Sequence, residues 1–264
     1  MHRNSFFNKL EEGILAVLFQ QVTDHLYGRG RRPVFVEVGA NDGVNSSKTI
    51  EFVRYHEWSG LEIEPVPSVY ASLEANLAPY HRVIAVNKAI SDRRGVLPFY
   101  QVIGKGSREG DNWLPMLSSF DRDVILKQKV SWPDIEDHIE EIEVEAATLT
   151  DVCNDHGIDR LDLLITDAEG HDDRIVNTLD LSRYRPLMIN IEHVHIPPDR
   201  LRQLDAVLMV QGYQRCIMWM DTTWFAGDIL EDECVQRMIR SMPGFMPDYD
   251  TLYGNGYWLS HFRS

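Results

Sequence analysis

Four things are absent or scarce in this chain, and each narrows what it does. Its 264 residues contain no run of about 18 apolar residues, so no membrane-spanning helix and no membrane partner are expected. Cysteine is nearly absent. Cys153, Cys216 and Cys234 are an odd number without metal-ligand spacing, the usage of reduced thiols in a cytoplasmic protein. Basic residues are outnumbered, 26 Lys and Arg against 41 Asp and Glu, for a net charge of −15. A field of that sign repels phosphate backbones, so nucleic acid is not an expected partner. The one basic cluster, Arg29, Arg31 and Arg32, reads as a solvated loop. The dinucleotide fingerprint G-x-G-x-x-G is also missing, as are internal repeats and low-complexity segments.

What remains is the composition of an ordinary globular protein, 44% hydrophobic and 25% charged, long enough for one large α/β domain or two small ones. The first residues are partly apolar, but Glu11 and Glu12 interrupt them and no small-residue cleavage site follows. They are read as part of the protein rather than a signal peptide. Phe7, Leu10, Ile14, Val17, Leu18, Val22 and Leu26 form a helical stripe that Gly28 and Gly30 end. This predicts an N-terminal helical cap at 1–30 over the sheet or a ligand pocket. A homodimer contact or a lid is the alternative reading of the same stripe.

From residue 33 strands and helices alternate. Strand signals fall at 33–39, 60–65, 82–91, 161–166 and 186–193, and helical ones at 46–57, 68–80 and 199–211. Residues 213–227 read as a closing antiparallel pair. The pattern predicts an α/β fold with a mainly parallel sheet, an antiparallel closing strand and helices on both faces. Residues 101–140 interrupt it, and a stretch of that length is expected to be a lid or substrate insertion in a single domain spanning 31–264. EIEVEAATL (141–149) alternates like a strand again.

Four constellations sit where strands end, the edge at which open α/β sheets bind ligands. The first is Glu37-Val-Gly39-Ala-Asn41-Asp-Gly43, an acidic turn with two glycines that lets backbone approach a ligand closely. S-adenosylmethionine (SAM), with an amine and a sulfonium but no phosphate, suits an acidic loop better than a dinucleotide does. The second is Glu64, placed to accept hydrogen bonds from ribose hydroxyls, with Glu62 as the nearby alternative. The third is Asp167-Ala-Glu169-Gly170-His171, in which His171 is a candidate general base and Asp167 faces the ligand edge. Helix capping by Asp167 and Glu169 is the plainer reading. The fourth is Glu192-His193-Val-His195. Asp167, Glu192 and His193 together are a candidate site for Mg²⁺ or another divalent metal, although period-2 alternation sets His193 and His195 opposite Glu192. Trp113, Trp132, Trp219 and Trp224 are either core or the wall of an apolar acceptor pocket.

At these residues the chain resembles the FkbM family of SAM-dependent methyltransferases. The shared pattern runs from about 33 to 226 through VFVEVGANDGVNS, LEIEPVPSVYASLEANL, NKAISDRRGVLPFY, ATLTDVCNDHGIDRLDLLITDAEGHD and RPLMINIEH. The resemblance implies a class I SAM-dependent methyltransferase fold, Rossmann-like, with a seven-stranded sheet in the order 3-2-1-4-5-7-6. It implies O-methylation of a small-molecule hydroxyl acceptor, such as a sugar, a polyketide or another secondary metabolite. It also implies that Glu37, Gly39, Asn41 and Gly43 hold the methionine part of SAM, that Glu64 holds the ribose, and that Ala89, Ile90 and Ser91 lie near the adenine. Asp167 and Glu169 match the family's D-x-E-G motif. Glu37 stands where Asp is more usual, and Ile165 stands where a lysine often precedes the motif's aspartate by two.

Methyl transfer needs the acceptor oxygen about 3 Å from the sulfonium methyl and its proton removed. His171 or His193 is the expected base. Two rival readings are a nicotinamide-dependent oxidoreductase and a non-catalytic SAM-binding module.

Overall fold

Short apolar segments with alternating side-chain direction build the centre of the molecule. The structure is a computed structural model that describes residues 3–45, 47–104, 116–130 and 132–241. Strand β1 (Val34–Val38) pairs in parallel with β2 (Ser59–Ile63) on one side and with β8 (Leu163–Thr166) on the other. Strand β3 (Val83–Val86) extends the sheet beyond β2, and β9 (Met188–Glu192) extends it beyond β8. Strands β10 (Gln214–Ile217) and β11 (Asp221–Phe225) close it, β11 running antiparallel to both neighbours. The order β3-β2-β1-β8-β9-β11-β10 is the expected 3-2-1-4-5-7-6, with all but one strand parallel.

Because neighbouring residues of a strand face opposite sides, the sheet feeds two cores. Val36, Val38, Leu61, Ile63, Leu164, Ile189 and Ile191 pack on one face, against α5 (Leu149–Asp155), α6 (Asp172–Asn177) and α7 (Pro198–Val210). Phe35, Leu163, Ile165, Met188 and Phe225 pack on the other, against α1 (Arg3–Tyr27) and α2 (Ile50–Tyr55). Helix α1 lands there through Leu15, Leu18, Phe19, Val22 and Leu26, all buried, whereas Leu10 and Val17 of the expected stripe are exposed. Phe19 meets Phe52 and Trp58 edge-on at 5.4 and 5.3 Å, contacts worth about 0.5–1.5 kcal/mol each beyond burial.

The third sequence segment, 82–91, is two strands rather than one. Chain direction breaks after β3, and β4 (Ala89–Ile90) joins a separate sheet, β4-β7-β5-β6, with β5 (Gly95–Val102), β6 (Ser118–Ser119) and β7 (Ile139–Ala147). Strands β5 and β7 bury parts of both faces, Phe99, Val144 and Ala146 in one small cluster and Val102 in another. The 101–140 region therefore contributes ordered structure, including β6 and the short α4 (Arg122–Leu126), to a small sheet over the ligand edge. Helix α3 (Pro67–Leu77) packs beside β3, and α8 (Glu233–Ser241) follows β11. No helix among the described residues is long and apolar enough to cross a membrane.

Candidate functional site: two clefts meeting at Asp167 and Lys48

Where β1 ends, the chain turns through Gly39 and Asn41. The amides of Gly39 and Ala40 both donate to the carbonyl of Ile63, which ties the turn to β2. Gly39 has φ +82°, and a Cβ there would sit 2.0 Å from the carbonyl oxygen of Asp167, so no larger residue fits. Asn41 is left-handed at φ 52°, a conformation Asn tolerates. This aims its amide at Glu64 Oε2, 3.1 Å away. Glu64 Oε1 accepts from the amide of Val66 at 2.9 Å. Burial pushes the Glu64 carboxyl up to about 7, against the pull of those two amides.

The other acids of this edge play different parts. Glu37 accepts from Thr49 Oγ1 at 2.5 Å, and Glu62 accepts from the same hydroxyl at 3.3 Å. Burial raises Glu37 to about 7. Burial, then the neighbouring Glu37, raises Glu62 to about 9. Of the two strand-two acids, Glu64 lines the cleft and Glu62 does not. Gly43 closes the turn, where an added Cβ would lie 2.8 Å from Glu62 Oε2.

The cleft in front of this turn is lined by Glu37, Gly39, Asn41, Glu64, Ala89 and Ile90 on one side and by Asp167, Glu169 and His171 on the other. The small sheet covers it with Phe99, Ser118 and Phe120. Ser91 lies behind the lining, fully buried, 3.3 Å from His171 Nε2. Phe120 packs against His171, ring centres 4.6 Å apart and planes tilted by 41°. Desolvation lowers the His171 pKa to about 4, so the imidazole is neutral at pH 7.

The turn after β8 is clamped from below. Asp172 Oδ1 accepts from Thr166 Oγ1 at 2.6 Å and from the Ala168 amide at 3.1 Å. Glu169 is left-handed at φ 49°, and Ser119 Oγ donates to its carbonyl at 2.9 Å. The small sheet is thereby tied to the D-x-E-G turn.

A second cleft opens beside the first. Glu11, Glu12, Leu15 and Phe19 of α1 line it together with Ser47, Lys48, Asp167, Glu192, Met220 and Asp221. Asp167 and Lys48 line both clefts. Lys48 Nζ lies 3.1 Å from Asp221 Oδ2 and 3.5 Å from Asp167 Oδ2. Burial opposes its charge, but Asp221, Asp167 and Glu192 outweigh that and hold its pKa well above the ordinary lysine value. Lys48 was not foreseen. It follows the glycine turn in a polar stretch with no motif to mark it, yet it supplies a cation beside Asp167. Ile165, two residues before Asp167, is instead in the core under α1.

The structure does not bring His193 to either cleft. It is fully buried, its Nδ1 3.0 Å from Thr222 Oγ1 and its amide bonded to the carbonyl of Met220. Desolvation takes its pKa to about 3. Glu192 points instead toward His195, and together with Glu169 they gather three donor atoms within 4.8 Å of one another. The expected trio Asp167, Glu192 and His193 is thus not the one brought together. The chain turns after β9, so His195 leaves the alternation that would have set it opposite Glu192. Trp132 and Trp224 are core residues and Trp219 is buried off both clefts, while Trp113 lies outside the described residues.

Residues 37–216 match the model of the Methyltransferase FkbM domain family. A relative, 2-O-methyltransferase NoeI of Sinorhizobium fredii, is 26% identical over 145 residues, covering 54% of this chain and 56% of that protein. The chain therefore spans little more than half the length of the relative it matches. Among solved structures, Methyltransferase FkbM from Methylobacillus flagellatus KT is similar at 14% identity and a TM-score of 0.47, over 74% of this chain and 44% of that one. The N-terminal domain of human METTL16 in complex with SAH is similar at 12% identity and a TM-score of 0.43, over 81% and 70%.

Proposed function

The chain belongs to the Methyltransferase FkbM domain family, and from that premise we propose that it transfers the methyl group of SAM to a hydroxyl on a small molecule, such as a sugar, a polyketide or another secondary metabolite. The observation that carries the reading is the meeting of two clefts at one carboxylate. The first has the parts a nucleoside with an amino-acid tail needs: a glycine turn with close backbone approach, a buried carboxylate at Glu64, and an apolar end formed by Ala89, Ile90 and Phe120. The second is open beside it and shares Asp167 and Lys48 with it. The 2-O-methyltransferase activity in the name of the Sinorhizobium relative supports oxygen as the atom methylated.

In this arrangement SAM lies in the first cleft with its ribose hydroxyls on Glu64 and its methyl toward Asp167. The acceptor enters the second cleft, under α1. Its oxygen attacks the methyl carbon in line, the carbon–sulfur bond breaks with its electron pair going to sulfur, and S-adenosylhomocysteine leaves. Asp167 is placed to take the hydroxyl proton. Lys48, 3.5 Å away, holds Asp167 in position. His171, neutral and packed against Phe120 beside Ser91, contributes a wall of the cofactor cleft.

Calorimetric titration with S-adenosylhomocysteine tests the cofactor assignment. Wild type is expected to bind at micromolar concentration, and Glu64→Ala to bind at least tenfold more weakly, about 1.4 kcal/mol. Equal affinity in the two proteins would remove Glu64 from the site. NADH binding in place of S-adenosylhomocysteine would turn the reading toward an oxidoreductase.

A further inference from the structure

Glu169, Glu192 and His195 stand at the junction of the two clefts and belong to none of the contacts proposed for the cofactor. Glu169 lines the first cleft and Glu192 the second. His195 Nε2 lies 3.2 Å from Glu169 Oε2 and 4.0 Å from Glu192 Oε2. Glu192 is only 8% exposed, and Oε2 of both glutamates accepts no hydrogen bond among the described residues. A buried carboxylate oxygen left in that state costs several kcal/mol unless it is protonated or meets a cation. Asp167 and Asp172 face Glu169, and Asp167 and Asp172 also face Glu192. Lys48 is the cation that acts on both, and it is already bonded to Asp221.

We propose that Glu169, Glu192 and His195 form a binding site for one divalent transition-metal ion, which presents the acceptor to the cofactor. The donor chemistry fits: two carboxylate oxygens with one imidazole suit an ion of the Mn²⁺ or Zn²⁺ type. The spacing fits as well. Bonds of about 2.1 Å in octahedral geometry set adjacent donors about 3.0 Å apart and opposite donors about 4.2 Å apart, close to the two separations seen here. Three protein donors leave about three of six positions open. That is room for two adjacent oxygens of an acceptor, so the site selects a vicinal diol or a hydroxycarbonyl over an isolated alcohol. The acceptor preference rests on the methyltransferase reading above; the ion site itself does not.

Mn²⁺ is the probe, titrated into the full chain and followed by loss of the free-ion paramagnetic resonance signal. S-adenosylhomocysteine affinity is measured on the same samples. Wild type is expected to take up one Mn²⁺ per chain, Glu192→Gln and His195→Gln to bind it at least tenfold more weakly, and the exposed control Glu51→Gln to match wild type. Retained S-adenosylhomocysteine binding shows that a variant is folded, and two variants guard against the loss of either. Wild type that binds S-adenosylhomocysteine but no Mn²⁺, or variants that bind Mn²⁺ as wild type does, would overturn the ion site and leave the methyltransferase reading standing. Wild type that binds Mn²⁺ at this site but no S-adenosylhomocysteine would keep the ion and overturn the cofactor.

Discussion

Two residues of the ligand edge separate by what they touch. Asp167 lies between the clefts with its side chain 37% exposed and Lys48 at 3.5 Å, so it can meet an acceptor. His171 lines the first cleft only, packed against Phe120 with its Nε2 3.3 Å from Ser91 Oγ, so it does not face the acceptor cleft. With any acceptor that turns over, Asp167→Asn is expected to lower kcat by about 10²–10⁴-fold, the range of a lost general base, while the affinity for S-adenosylhomocysteine stays within a few-fold. His171→Ala is expected to do the opposite, weakening cofactor binding with little loss of saturated turnover. Steady-state kinetics with calorimetry on both variants decides. A kcat collapse in His171→Ala alone would return the base to the histidine. Sequence reasoning placed both residues at the edge, because an apolar strand running into D-x-E-G puts them there. It could not rank them, because the burial of His171 comes from Phe120 and Ser91, far away in the chain.

At the scale of elements, α1 is attached to the site as well as to the core. The Glu11 carboxylate accepts from the amides of Met220 and Asp221 at 2.9–3.0 Å, pinning the helix over the start of β11. Burial, then Asp221, raises the Glu11 pKa to about 8. Glu11→Ala leaves two amides without their acceptor and is expected to destabilise the fold by about 1–3 kcal/mol. If α1 roofs the acceptor cleft, the variant also raises the acceptor KM while S-adenosylhomocysteine affinity is kept. Calorimetric melting together with acceptor kinetics reads both effects, and a weakened cofactor with an unchanged acceptor KM would place α1 over the other cleft. Part of the buried face of α1, Leu18, Val22 and Leu26, was legible at helical spacing, but Leu10 and Val17, read with it, are exposed. The helix's polar contact was not legible, since Glu11 in the sequence is a charge interrupting an apolar stretch. The small sheet was hidden for a related reason: β5 and β7 pair across an interval of about forty residues.

At the scale of the whole molecule, the ligand edge concentrates buried acids, and this sets the response to pH. Glu37, Glu64 and Asp172 titrate near 7, Glu11 near 8 and Glu62 near 9, all raised chiefly by burial. Folded, these groups keep protons that the unfolded chain releases near pH 4–4.5. Their contribution to stability is complete below that pH and is lost as pH rises through 7 to 9. The buried histidines His171, His193 and His195, with pKa values lowered to about 4, 3 and 4, act oppositely. Their contribution is complete above about 6.5 and is lost as pH falls toward 4. Above pH 6.5 only the acids still change, so the melting temperature is expected to fall between pH 7 and 9. Glu62→Gln, which removes the highest of these ionisations, is expected to make that fall shallower. A melting temperature level from pH 7 to 9 in wild type would refute the account.

The sequence by itself determined the sheet, the family and most of the edge. Apolar strands with period-2 alternation and intervening helices leave few other topologies, and glycine turns state where backbone must come close to a ligand. Gly39 shows why: its constraint is local in φ and absolute in space. Only the tertiary structure decided which acids and histidines work together. Lys48 reaches Asp167 and Asp221 from a loop without a motif, and Glu169 meets His195 because the chain turns after β9. His193 is withdrawn into the core by its contact with Thr222 of β11. Lys48 and Asp221 are 173 positions apart and His193 and Thr222 are 29 apart, and no local pattern encodes such pairs.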